Sequence, residues 1–281
     1  MNSRRLARRV RHRDVVHKPG RWIMPEPEHV HRTMNRRRST VKGKARQMPN
    51  VEKLSEKLSM SNETFVSAKT TYKITIYPAP SDGKKHPVIL LVHGNFGLGD
   101  PYGAPIHGFA KDLAGLGYMT AVPQYYEDDD PHLTDKVPHV QTLADATAAV
   151  ASRPGADPKR LGLIGFSLGA ATAMTFIASK PSGTVKVLAD FFGFLTPTIE
   201  AAVLSFPPTI ILHNKNDEIV KVSNSKKLNQ LLPSTIDHEL VTYDERWQIV
   251  NHAFEPGGTA DVDSRSKTTA WFTKYLPPTG N

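Results

Sequence analysis

The chain has no cysteine among its 281 residues. That excludes a disulfide framework, a thiolate nucleophile and any zinc or iron–sulfur site that needs thiolate ligands. Long apolar runs are also missing. The longest is Val88–Val92, far short of the roughly 20 residues of a membrane-crossing helix. No apolar stretch follows Arg4-Arg5, so a secretory or twin-arginine signal is excluded as well. What is present suffices for a core. Hydrophobic residues make up 39% of the chain and aromatics 8%. The length suits one large α/β domain or two small ones.

The net charge of +9 suggests a nucleic-acid binder, but the average misleads. Residues 1–59 carry 17 Lys+Arg against 5 Asp+Glu, a net of +12. Residues 60–281 carry 19 against 22, a net of −3, which is an ordinary globular balance. We therefore divide the chain into a basic extension, residues 1–59, and a folded domain, residues 60–281. The extension reads as disordered. Its arginines repel one another, Pro25 and Pro27 break any helix, and its few apolar residues cannot offset the ordering entropy. Nucleic-acid or anionic-surface contact through this segment is one reading, but no aromatic interleaving supports it. An organelle-targeting peptide is another, opposed by Asp14, Glu26 and Glu28. The favoured expectation is an upstream extension without a folded role, the domain starting near Met48 or Met60. The cytoplasm is then the default location, with an organelle as the alternative if the extension acts as a transit peptide.

From Thr71 onward, strand-like and helix-like patterns alternate. Tyr72–Tyr77 alternates with period two, as a half-exposed strand does. Val88–Val92 is continuously apolar, as a strand buried on both faces should be. Further strands are expected at 118–122, 160–165, 185–191, 209–212 and 238–242. Helices are expected at 106–116, ending at Gly117, and at 140–152, 168–179, 223–232 and 263–275. Ser223 or Asn224 is the expected cap of the fourth, and Asp263 or Ser264 of the fifth. This alternation implies a mostly parallel sheet with helices on both faces. About 15 residues separate the strand ending near Asp190 from the one starting near Thr209, which leaves no room for an inserted lid domain.

Gly165-Phe-Ser-Leu-Gly169 has the form G-x-S-x-G. Alone it is a weak signal, and a glycine-rich turn with Ser167 as an N-cap would also produce it. Its context adds weight, because it follows a strand and opens a helix. Such a turn forces the serine into a strained conformation, flanking glycines relieve the crowding, and the helix N-terminus favours a developing oxyanion. A serine hydroxyl needs a base, and the base needs an orienting carboxylate. Asp217 lies just past a strand end, on the side of the sheet where open α/β folds bind ligands. His252 follows the last strand. The order Ser167, Asp217, His252 is the one this kind of turn requires. Glu218 and Asp190 are alternative acids, while His93 and His213 read as structural. Val92-His-Gly-Asn-Phe-Gly-Leu98 follows the first buried strand. Its glycines suit a loop that brings backbone N–H groups to a substrate oxygen. The expected donors are the amides of Asn95 and Leu168.

Together, His93-Gly-Asn-Phe-Gly-Leu98, Gly165-Phe-Ser-Leu-Gly169, Asp217 and His252-Ala-Phe254 resemble the α/β-hydrolases, and among them the dienelactone hydrolase family. The resemblance spans about residues 70–278. It implies an α/β-hydrolase fold without a lid and a hydrolase that needs neither metal nor organic cofactor. Three positions depart from the family's namesake enzymes. Those use a cysteine nucleophile where this chain has Ser167, and an oxyanion-loop glutamate where it has Gly94. They hold a substrate carboxylate with two arginines. Here the segment after Pro123 is Gln124-Tyr-Tyr-Glu-Asp-Asp-Asp130, and Glu255 follows Phe254, so neither segment offers an arginine. The expected substrate is thus a small or soluble carboxylic ester or lactone rather than an anionic dienelactone. Asp128–Asp130 read as a solvated loop rather than a cation site. A peptidase or acyltransferase on the same residues, or a non-catalytic binding protein of this fold, are the alternatives.

Overall fold

The computed structural model describes residues 60–126, 139–248 and 250–278. The basic extension, the acidic run Asp128–Asp130 and the expectations attached to both lie outside these residues.

The strands are β1 (Ser61–Ser67), β2 (Thr70–Tyr77), β3 (His86–Val92), β4 (Met119–Pro123), β5 (Ala156–Phe166), β6 (Val185–Phe191), β7 (Thr209–Asn214) and β8 (His238–Tyr243). The helices are α1 (Gly103–Gly115), α2 (Val140–Ala151), α3 (Leu168–Ala178), α4 (Pro197–Ala202), α5 (Ser223–Leu231) and α6 (Thr259–Tyr275). The strands form one sheet in the order β1-β2-β4-β3-β5-β6-β7-β8. From β4 to β8 all neighbours pair in parallel, and β2 runs antiparallel to both β1 and β4. This is the mostly parallel sheet that the alternation of the sequence implied, and it agrees with the α/β-hydrolase fold that the resemblance implied.

β3 shows why an unbroken apolar run was needed. Every residue from His86 to Val92 is buried. Val88, Leu90 and Val92 enter the core under α2 and α3, while Ile89 and Leu91 enter the core under α1 and α6. A period of two thus serves two apolar faces at once. α1 stops where a glycine permits it. Gly117 has φ +102°, its N–H bonds to Ala114 O at 3.0 Å, and the Tyr118 N–H bonds to Leu113 O at 3.4 Å, which is a Schellman ending.

Some boundaries differ from expectation. β1 was not foreseen, because of its residues only Phe65 and Ser67 are buried. α5 is not capped by Ser223 or Asn224. Its N-cap position is Val222, and the Asn224 amide instead accepts from Leu195 N–H and donates to Lys221 O. α6 starts at Thr259, a turn earlier than expected. Asp261 reaches back from the first turn to accept the Gly257 N–H at 2.9 Å, and Asp263 accepts the Tyr243 hydroxyl. Between β6 and β7 lie α4 and a short turn of 3-10 helix, Val203–Ser205, and no inserted domain.

Chain order places the loops that matter side by side. From β3 the chain crosses to β4 on one side and returns to β5 on the other. The carboxyl ends of β3 and β5 therefore flank the point where strand order reverses, the usual ligand crevice of open α/β sheets. The loops after β3, β5, β7 and β8 carry Asn95, Ser167, Asp217 and His252 respectively.

Candidate active site

Ser167 sits on the turn between β5 and α3 with φ 54° and ψ −118°. A non-glycine residue in that region costs of the order of 1–3 kcal/mol and persists only where its surroundings enforce it. The flanking glycines are part of that enforcement. A Cβ on Gly165 would lie 2.3 Å from Ala170 Cα, and one on Gly169 would lie 2.1 Å from Val92 O. The Ser167 N–H bonds to Phe191 O at 2.8 Å, which fastens the turn to β6. No side-chain capping bond is made by Ser167. Its hydroxyl serves another partner.

That partner is His252. Its Nε2 lies 2.7 Å from Ser167 Oγ, and its Nδ1 lies 2.7 Å from Asp217 Oδ2. A carboxylate only accepts, so Nδ1 carries the proton and Nε2 accepts the serine hydroxyl. The structure thus joins Ser167, His252 and Asp217 in one hydrogen-bonded chain, with all three side chains buried. The alternative acids are placed elsewhere. Glu218 is exposed. Asp190 Oδ1 accepts the Gly193 N–H at 2.8 Å. Its buried Oδ2 has no hydrogen-bond partner among the described residues. Burial pushes the Asp190 carboxyl up to about 6, against the pull of His213 and the Gly193 N–H.

Asp217 is held from all sides. Its Oδ1 accepts the N–H groups of Ile219 and Val220 at 2.9 and 2.8 Å. Its Oδ2 faces His252 and, at 3.2 Å, the Nε2 of fully buried His213. Burial pushes this carboxyl up. The hydrogen bonds from His213, His252 and Val220, with the His252 charge, outweigh it and hold the group below the usual carboxylate range. His213 was expected to be merely structural. Its Nε2 also lies 2.8 Å from Val220 O, so that nitrogen carries the proton and is shared between two acceptors, while Nδ1 meets Ser225 Oγ at 2.6 Å.

Asn214 is a second residue that the sequence reading missed. Its amide donates to Glu245 O at 2.8 Å and Asn251 O at 3.1 Å, and its Oδ1 accepts from the N–H of Asn216 and of Glu245. The end of β7, which presents Asp217, is thereby tied to the segment that presents His252. Asn251 adopts φ 50° at that tie. The available signal was a buried strand, Thr-Ile-Ile-Leu-His-Asn, ending in two polar residues.

The loop after β3 passes close to the nucleophile. A Cβ on Gly94 would meet Ser167 Cβ at 3.1 Å and Phe166 O at 3.2 Å. A side chain there would crowd the turn, so glycine in place of glutamate lets the loop lie against Ser167. The Gly94 carbonyl accepts from His93 Nδ1 at 2.9 Å, the Tyr126 hydroxyl at 2.6 Å and the Gly97 N–H at 3.1 Å. The Tyr125 hydroxyl bonds to His93 O at 2.9 Å. His93 is buried between the two tyrosine rings, and burial pulls its imidazole down to about 4. It is therefore neutral and serves as a strut for the Asn95 loop. Leu168 opens α3, where the first N–H groups have no intrahelical acceptor.

A cleft of about 720 Å³, counting its open mouth, leads to Ser167 and His252. Asn95 lines it, together with eight Phe, Tyr and Trp side chains. The two segments inspected in the sequence offer no arginine, but Arg265 of α6 is part of the wall, its Nε 2.7 Å from Asp261 Oδ1. Among the described residues no group of metal-ligating side chains occurs, and no helix is long and apolar enough to cross a membrane.

The dienelactone hydrolase family model matches residues 74–276. A Yersinia pestis protein provisionally named a carboxymethylenebutenolidase is 26% identical over 216 residues, which cover 68% of this chain and 79% of that protein. Dienelactone hydrolase from Anabaena variabilis superimposes with a TM-score of 0.60 at 18% identity, over 78% of this chain and 99% of that one. Pyrococcus horikoshii acylaminoacyl peptidase gives a TM-score of 0.65 at 14% identity, over 84% of this chain and 45% of that one. At such identity these two structures speak for the fold alone.

Proposed function

The chain belongs to the dienelactone hydrolase family, hydrolases acting on ester bonds, and from that premise we propose that it is a serine hydrolase of small or soluble carboxylic esters. The observation that carries this reading is the chain of two 2.7 Å contacts from Ser167 through His252 to Asp217 at the floor of the cleft. Ser167 Oγ attacks the ester carbonyl while His252 Nε2 takes the hydroxyl proton. The new C–O bond pushes the carbonyl electron pair onto oxygen. The N–H groups of Asn95 and Leu168 stabilise that oxyanion, each by about 3 kcal/mol. Collapse expels the alcohol, which leaves with the proton from His252. Water, activated by the same imidazole, then releases the acid and frees Ser167. Asp217 fixes the imidazole tautomer and balances its transient charge.

No step calls for a metal or an organic cofactor. The three residues act as one unit, so removing one abolishes most of the benefit. Hydrolysis of p-nitrophenyl esters of increasing acyl length is the test. Wild-type protein should turn over the short esters, and Ser167→Ala should lose at least 1,000-fold in kcat while remaining folded. Undiminished turnover by the folded Ser167→Ala protein would overturn the reading.

A further inference from the structure

We infer that, given the ester-hydrolase reading above, the cleft is built for an uncharged ester that carries an aromatic ring. Three features of the cleft converge on this. The first is its floor. Phe166, Phe191 and Phe192 meet edge to face or tilted, with centroids 4.8–6.3 Å apart, and the Phe192 ring stands 5.1 Å from the His252 imidazole. A group joined to the reacting carbonyl lies against ring edges and faces as soon as it leaves Ser167. Such partners prefer another ring in offset or edge-to-face contact, beyond simple burial of area.

The second feature is the mouth. Phe96 stacks on Tyr102 with centroids 5.3 Å apart and an interplanar angle of 14°. Trp247 meets Tyr102 edge-on at 6.3 Å and 81°. The Tyr102 hydroxyl donates to Gln248 Oε1 at 3.0 Å, which fixes the ring in place. Phe96 is 42% exposed, although it directly follows Asn95 on the oxyanion loop. A flat apolar ligand at this point removes that ring from water.

The third feature is charge. Besides His252, the acidic and basic side chains among the described lining residues are Asp261 and Arg265. They neutralise one another across one turn of α6. The second Asp261 oxygen accepts the Gly257 N–H, and the guanidinium lies 5.4 Å over the Phe109 ring. An ionised substrate group would lose its hydration here and find its one possible cation already paired.

The test uses the full chain and two matched ester series. One comprises the ethyl esters of 3-phenylpropanoic, 3-cyclohexylpropanoic and 3-(4-carboxyphenyl)propanoic acids. The other comprises benzyl, cyclohexylmethyl and 4-carboxybenzyl acetates. Rates are read by proton release. In at least one series kcat/KM should rank phenyl, then cyclohexyl, then carboxyphenyl, with at least tenfold between first and last. Tyr102→Ala and Phe96→Ala should erase the preference for phenyl over cyclohexyl while Ser167 still reacts with a fluorophosphonate probe. Equal rates for phenyl and cyclohexyl in both series would overturn the aromatic claim. Faster cleavage of the carboxylated ester would overturn the uncharged one and make Arg265 an anion anchor. Calorimetric binding of the same intact esters to Ser167→Ala protein gives a readout free of turnover. If the wild type cleaves nothing but this variant binds the phenyl ester at least tenfold more tightly than the carboxylated one, the site stands and the hydrolase reading fails. If it shows no such preference, the site fails too.

Discussion

Replacing His213 by Leu removes one of the two side-chain donors on Asp217 Oδ2 and leaves His252 untouched. The size of the effect follows from the geometry. A hydrogen bond to a charged group contributes about 1.5–3 kcal/mol, but the Nε2–H of His213 is shared. It points first at Val220 O, 2.8 Å away, and reaches Asp217 at 3.2 Å. The lower end of that range applies, about 1.5 kcal/mol, or roughly tenfold in kcat, since 1.36 kcal/mol corresponds to a factor of ten. The pH profile should move as well. Burial pushes the Asp217 carboxyl up, and the donors hold it down. Losing one donor raises the folded pKa. The ionised form that orients His252 is then lost at a higher pH, and the acidic limb of kcat/KM shifts upward. His213→Gln retains an N–H donor and should recover most of the rate and the limb. Initial rates from pH 2.5 to 9, with a melting curve for each variant, make the measurement. A folded His213→Leu protein with the wild-type rate and limb would refute the reasoning.

Further consequences follow from the same contacts. Asn214→Ala cuts the tie between the end of β7 and the His252 segment. It should lower kcat more than it raises KM for a short ester, and an unchanged kcat in a folded protein would argue against the tie. Gly169→Ala would place a methyl carbon 2.1 Å from Val92 O. It should destabilise by more than about 4 kcal/mol, the range of severe core and strain mutations, and urea unfolding reads this directly. Asp190 has its pKa raised from 3.8 to about 6 by burial. Between those values the folded state holds a proton that the unfolded state has lost, so stability declines as pH rises from 4 to 6 and then levels off. A two-unit difference amounts to of the order of 3 kcal/mol. Asp190→Asn should flatten that part of the melting temperature against pH, and an unaltered slope would show that another group titrates.

The parts of the fold legible in the sequence were those where one signal dominates. β3 is buried on both faces, and only an unbroken apolar run meets that demand. The turn at Ser167 announced itself through two glycines that the strand–helix contact cannot do without. β1 stayed hidden because an edge strand with one wet face needs few apolar residues. Taking Asp263 or Ser264 as the cap set the start of α6 too late, because the helix begins at Thr259 after Gly258, and Asp261 of its first turn accepts the Gly257 N–H. His213 and Asn214 are ordinary polar residues in the sequence. The role of His213 comes from the loop after β7 and the start of α5 turning back onto it, and that of Asn214 from the segment before His252 reaching the end of β7, contacts that no residue pattern announces. The same holds for the aromatic cleft, whose rings come from segments far apart in the chain. Arg265 lies outside both segments where an arginine was sought, and only the packing of α6 brings it to the wall.

The central claim is that Ser167 is a nucleophile activated by His252. Peptide mass spectrometry after reaction with a fluorophosphonate tests it most directly. A single adduct should form on Ser167, disappear in Ser167→Ala and form at least 100-fold more slowly in His252→Ala. Labelling at the wild-type rate in a folded His252→Ala protein, or an adduct on another residue, would contradict the account.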